Sequence, residues 1–152
     1  MRTMGIRVKP GEVTFAIFDT ATRSLLNVEN IKIPKALTTP DGLKYVRNNV
    51  LDVIREYEVD TAGIRVIESN AQTKSIDRIE IEGVIQEAFA SSSLKSYYVG
   101  QIASISRRLG FQREQFKRYV ANEVTFDVIE GWEDLSPEAR EAALAAMGAE
   151  HA

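Results

Sequence analysis

Charge along this chain of 152 residues is sorted rather than mixed. Between Arg107 and Arg118 stand five cations, Arg107, Arg108, Arg113, Lys117 and Arg118, against the single Glu114. From Glu123 to Glu141 the balance reverses, with Glu123, Asp127, Glu130, Glu133, Asp134, Glu138 and Glu141 against Arg140. Clustered guanidinium and ammonium groups hold phosphate oxygens, and carboxylates hold hard divalent cations such as Mg²⁺ and Mn²⁺. A basic stretch beside an acidic one therefore reads as a phosphate-facing surface next to a metal-facing one. The plainer reading is two solvated helix faces that neutralise each other. A net charge of −3 argues against strong non-specific attachment to nucleic acid.

Other chemistries are excluded by composition. The chain has no cysteine, hence no disulfide, thiolate metal site or cysteine nucleophile. His151, the only histidine, lies at the C-terminal tail and supports no catalytic role. An apolar fraction of 44% is that of a folded globular protein, and the length suits one domain over residues 1–148 with a frayed tail at 149–152. No apolar run approaches the ~20 residues needed to cross a bilayer. Met1-Arg2-Thr3-Met4 leads straight into a strand with no signal-peptide core, so a cytoplasmic protein with no membrane partner is expected.

The elements that must position these groups follow from periodicity. Met4–Val8, Glu12–Asp19 and Leu25–Ile33 read as three strands joined by a Pro10-Gly11 turn and a polar hairpin loop. Leu43, Val46, Val50, Val53, Ile54 and Tyr57 recur at helical steps. A fourth strand over Ala62–Glu68 is followed by a polar loop, then a helix carrying Ile79, Ile81, Val84, Ile85, Ala88 and Phe89. Ser96–Val99 forms a short fifth strand. A helical turn through Ile102, Ile105 and Leu109, a break at Gly110 and a helix with Phe116, Tyr119 and Val120 come next. The last helix opens at Ser136-Pro137, serine as cap and proline at the first helical position. A meander followed by alternating helix and strand predicts an α/β mixed five-stranded sheet with helices on both faces and strand four beside strand one. Glu68 then sits at a strand's carboxyl end, where such sheets build sites. Glu138 and Glu141 lie one turn apart on the last helix. Arg7 and Lys9 alternate onto one side of strand one. Of Tyr97 and Tyr98, one ring is expected in the core and one at the rim. Trp132, in an acidic loop, is expected to pack on the last helix or meet a partner.

This order of elements resembles the RNase H-like superfamily, and nearly the whole chain resembles RuvC-type Holliday junction resolvases. Gly5-Ile6 followed by Pro10-Gly11 is similar to the family's Gly-Ile-Asp-Pro-Gly strand end, with two additional residues. Val66-Ile67-Glu68 looks like its Ile-Glu pair, and Val99–Phe116 like its basic, glycine-containing loop and helix. Glu138-Ala139-Arg140-Glu141-Ala142-Ala143-Leu144-Ala145 resembles the acidic run of its last helix. The chain also resembles a small bacterial family of short RuvC-like domains that lack the first aspartate. The resemblance implies Glu68, Glu138 and Glu141 as ligands of Mg²⁺ or Mn²⁺. It further implies Arg107, Arg108, Arg113, Lys117 and Lys74 as nucleic-acid contacts, and a homodimer.

One position departs from the pattern. Two-metal cleavage of a phosphodiester holds two ions about 3.5–4 Å apart, which a shared carboxylate must keep from repelling each other. In the family, the strand-one aspartate does this. Here, alignment on Gly-Ile puts Arg7 in its place and alignment on Pro-Gly puts Lys9 there. Either cation opposes divalent binding and offers Glu68 and Glu141 a counter-ion, giving a charge-swapped site. Glu12 and Asp19 are the acids that would have to restore the missing ligand. Three functions follow. The favoured one is a catalytically impaired RuvC-like domain that binds DNA, RNA or a protein partner without a cofactor. The second is a Mg²⁺- or Mn²⁺-dependent endonuclease acting on branched or structured DNA. The third is an assembly protein with no nucleic-acid role.

Overall fold

In the computed structural model, which describes residues 1–152, the chain opens as an antiparallel meander. It comprises β1 (Arg2–Lys9), β2 (Glu12–Asp19) and β3 (Ser24–Lys32). Gly11 supplies the left-handed backbone, φ 78°, that the tight β1–β2 turn requires. Helix α1 (Thr39–Glu56) carries the chain back to β4 (Thr61–Arg65), parallel to β1. Helix α2 (Ile76–Ser91) then leads to β5 (Ser96–Gly100), parallel to β4. The sheet order is β3-β2-β1-β4-β5, the expected mixed sheet with strand four beside strand one. Helices α3 (Ile102–Leu109), α4 (Arg113–Val120) and α5 (Pro137–Gly148) complete the chain. No helix is long and apolar enough to cross a membrane.

Strand alternation divides the interior into two cores. Met4, Ile6 and Val8 of β1, Val13, Phe15 and Ile17 of β2, and Ala62 and Ile64 of β4 pack beneath α1 and α2. Ala16, Phe18 and Tyr98 look the other way, against α3, α4 and the alanine face of α5. Tyr98 is the core ring and its hydroxyl donates to the Ala145 carbonyl at 2.7 Å, while Tyr97 stays exposed beside Phe89. Trp132 is fully buried in the second core, and its indole N–H donates to the Tyr119 carbonyl at 2.9 Å. Arg140, also buried, fans its guanidinium onto the carbonyls of Val120, Trp132 and Glu133, which fixes the long connection between α4 and α5. Residues 149–152, read from sequence as frayed, continue α5 into a short 3₁₀ turn. There Ala149 is buried and its carbonyl accepts from Thr61 Oγ1 at 2.6 Å.

Strand β4 ends at Arg65, three residues earlier than the alternation suggests. The Val66 N–H still donates to the Gly100 carbonyl, but the Ile67 N–H donates to both carboxylate oxygens of Glu82 on α2 at 3.1 and 3.2 Å. A side chain thus takes the place of the next ladder bond, and Glu68 belongs to a loop rather than to the strand.

Helix α5 lies almost directly on β1. A Cβ built on Gly5 would stand 1.9 Å from the Ala142 carbonyl oxygen and 2.2 Å from the Ala146 nitrogen, both backbone atoms. Gly5→Ala is therefore expected to cost at least about 3 kcal/mol, since the whole helix must retreat. Gly83→Ala, on the open face of α2 with nothing within 4 Å of its Cβ, is expected to gain about 0.5–1 kcal/mol. Urea denaturation of the two variants beside the unaltered chain reads both effects.

Candidate functional site

The carboxyl ends of β1 and β4 sit side by side in parallel register, Arg7 opposite Arg65. Both side chains point to the α5 face, because Ile6 and Ile64 take the other one. Helix α5, seated against Gly5, presents Glu141 between the two guanidiniums. Arg7 Nε donates to Glu141 Oε2 at 2.6 Å and Arg65 Nε to Oε1 at 3.1 Å, so one carboxylate bridges the two strands. Each arginine also donates to a neighbouring carbonyl, Arg7 to Val8 and Arg65 to Val66.

The network continues outward from Arg65. Its Nη1 lies 3.5 Å from Glu68 Oε2, and Glu68 Oε1 meets Arg113 Nη2 at 3.3 Å. Glu68 also accepts the N–H of Ile102 at 3.1 Å, the first residue of α3. Helix α3 has no side-chain cap of its own at Gln101, so Glu68 supplies the anion its N-terminus favours. Arg113 opens α4, where a cation opposes the helix dipole, and its pairing with Glu68 offsets that. Behind β4, Arg78 Nε donates to the buried Glu82 at 2.8 Å. At the rim, Lys9 reaches Glu12 at 3.5 Å and Glu138 at 3.8 Å.

Three sets of ion pairs share this edge: Arg7, Arg65 and Arg113 with Glu68 and Glu141; Lys9 with Glu12 and Glu138; and Arg78 with Glu82, five cations and five carboxylates with no net charge in sum. Burial pushes the Arg65 guanidinium below its ordinary range; Glu141 and Glu68 counter that, while Arg7 and Arg78 reinforce it. At 7% side-chain exposure Arg65 is the deepest member of the Arg7–Glu141–Arg65–Glu68 chain.

Several placements differ from what the sequence suggests. The partner of Glu68 is neither Arg7 nor Lys9 but Arg65 and Arg113. Of the two strand-end cations, Arg7 is the central one and Lys9 the peripheral one. Glu138 lies with Lys9 rather than with Glu68 and Glu141. Glu12 joins the cluster only as a partner of Lys9, and Asp19 caps the β2–β3 turn by accepting the Ala21 N–H, far from the site. Nowhere do three or more carboxylate or imidazole groups converge as a metal ion requires. The donor set does not fit a divalent pair: both oxygens of Glu141 face guanidinium nitrogens, and the shared strand-one ligand is a cation. Arg113 belongs to the cluster, and Lys117 follows one turn later on α4. Arg107 and Lys74 are exposed, on α3 and on the loop before α2. Arg108 is elsewhere, stacked 4.0 Å from the Tyr98 ring centroid beside Gly148 at the far end of α5.

Arg65, Arg78 and Glu82 escape a reading of the sequence for exposed acids and bases. Two signals mark them: an arginine inside a strand buried on both faces, and an i, i+4 Arg–Glu pair on the apolar side of α2.

No family model matches the chain, and no curated protein does. Solved structures do. RuvC of Thermus thermophilus is similar over 97% of this chain and 92% of its own, at a TM-score of 0.76 and 14% identity. T. thermophilus RuvC in complex with Holliday junction substrate gives 0.72 over 97% and 91%, at 13% identity. The yeast mitochondrial Holliday junction resolvase gives 0.58 over 95% and 75%, at 9% identity.

Because Glu141 neutralises two largely buried guanidiniums, Glu141→Gln is expected to destabilise the chain by about 3–5 kcal/mol. Replacing the whole unit, Arg7→Met with Arg65→Met and Glu141→Leu, is expected to recover most of that loss, since no uncompensated charge is left buried. The two denaturation midpoints test this; a triple variant as unstable as Glu141→Gln contradicts it.

Proposed function

With the RNase H-like fold of RuvC-type resolvases as premise, we propose that this chain is a RuvC-like domain that has given up two-metal cleavage. On this reading it binds nucleic acid, in the cytoplasm, at the carboxyl edge of its sheet. The observation that carries the reading is Arg7 in contact with Glu141, where a nuclease needs a shared carboxylate. A divalent ion entering there would meet two guanidiniums and no free carboxylate oxygen of Glu141, at an electrostatic cost of several kcal/mol. Binding itself is supported by three exposed cations, Lys74 on the loop before α2, Arg107 on α3 and Lys117 on α4. The Thermus protein of the same fold was solved with a Holliday junction substrate, which makes branched DNA the first ligand to try.

One observation favours assembly instead. Ile76 and Ile79, one turn apart on α2, are 73% and 43% exposed, a face suited to a second copy of this chain.

A four-way junction and single-stranded DNA, titrated at two salt concentrations with and without Mn²⁺, separate these readings. The expected result is junction binding that weakens with salt, no cleavage, and a salt slope about one unit shallower in Lys117→Gln. Cleavage with Mn²⁺ that disappears in Glu68→Ala would establish the endonuclease and overturn the proposal. No binding at low salt, with self-association lost in Ile76→Lys, would leave assembly as the function.

A further inference from the structure

At the end of α5 away from the carboxylate cluster, a half-open cavity of about 360 Å³ lies between the last turn of α3, the α4–α5 connection and the C-terminal turn. Its wall is apolar, formed by Leu109, Phe126, Val128 and Met147. Its polar lining is Arg23, Arg108 and His151, with Glu150 as the one carboxylate. Both arginines are pre-positioned. Arg23 stands in left-handed backbone at φ 55°, stacks 5.2 Å from the Phe18 ring centroid and reaches Glu150 at 2.9 Å. Arg108 stacks 4.0 Å from the Tyr98 centroid, in space that the missing side chain of Gly148 leaves open, and it pairs with no acid. Val128 lines this wall at 44% exposure.

From this we infer a second binding site, distinct from the sheet edge, for a small organic anion with an apolar body, such as an aryl or alkyl phosphate or carboxylate. The charge argument is direct. Two guanidiniums face one carboxylate, and Arg23 already occupies Glu150, so Arg108 remains to take the anionic head. A stacked guanidinium loses little freedom when it binds, and its planar fork suits phosphate and carboxylate equally. The apolar wall takes the body of the ligand, and the volume lies at the small end of the range for ligand pockets. Inorganic phosphate would satisfy the head alone and leave the exposed Val128 in water, so the site discriminates by the body.

The test is a two-dimensional NMR titration of the full chain with phenyl phosphate, benzoate and inorganic phosphate. The aryl anions are expected to shift resonances of Leu109, Val128 and Met147 saturably, with inorganic phosphate at least about tenfold weaker. Tighter phenyl phosphate assigns a phosphate head and tighter benzoate a carboxylate head. Arg108→Gln is expected to weaken aryl binding about tenfold. Should that change disturb the stacked Tyr98, Val128→Asp on the exposed rim serves as the second variant, expected to abolish binding while leaving the rest of the spectrum in place. The proposal fails if no saturable shift appears at millimolar ligand, if inorganic phosphate matches the aryl anions, or if both variants bind as the unaltered chain does.

Discussion

Contact between α5 and β1 sets everything that follows. With a bare Cα at Gly5 and alanines on the helix, the two backbones approach within the width of a single side chain. That spacing decides where Glu141 falls: over the gap between β1 and β4, within reach of an arginine on each. A bulkier interface would lift the carboxylate away and leave two adjacent guanidiniums to repel each other in low dielectric. Packing and electrostatics are therefore one constraint. The alanine-rich run, helical on propensity alone, is small because the sheet is close.

Much of this architecture is legible in the residues. The meander, the Pro10-Gly11 turn, the Ser136-Pro137 helix start and the placement of strand four beside strand one follow from local chemistry and chain connectivity. So does the presence of a cation at the end of strand one. The pairings within the cluster do not follow, because they depend on long-range placement. Glu68 is adjacent in sequence to a strand that alternation extends too far, and only the capture of the Ile67 N–H by Glu82 reveals that the strand has ended. Arg65 reads as an ordinary strand residue until parallel register sets it beside Arg7. Arg108 shows the limit of composition: it shares a basic stretch with Arg113, yet helix geometry sends the two to opposite ends of α5.

The cluster is also a piece of architecture. Glu68 holds the N-terminus of α3 and the first residue of α4 while leaning on Arg65, so the basic helices are attached to the sheet edge through one carboxylate. The cluster lies at the carboxyl ends of β1 and β4. This edge of the sheet is occupied by bonds that stabilise the chain, and removing one partner leaves a charge stranded.

Electroneutrality at this edge has a kinetic side. A balanced set of charges projects only a short-range field, so the centre of the site neither gathers counter-ions nor draws a polyanion from a distance. Long-range attraction of an anion would rest instead on exposed cations such as Lys74, Arg107 and Lys117. Surface charge and buried charge thus have separate tasks: the exposed cations act through water and are screened by salt, while Arg65 and Glu141, shielded from both, hold the sheet edge to α5.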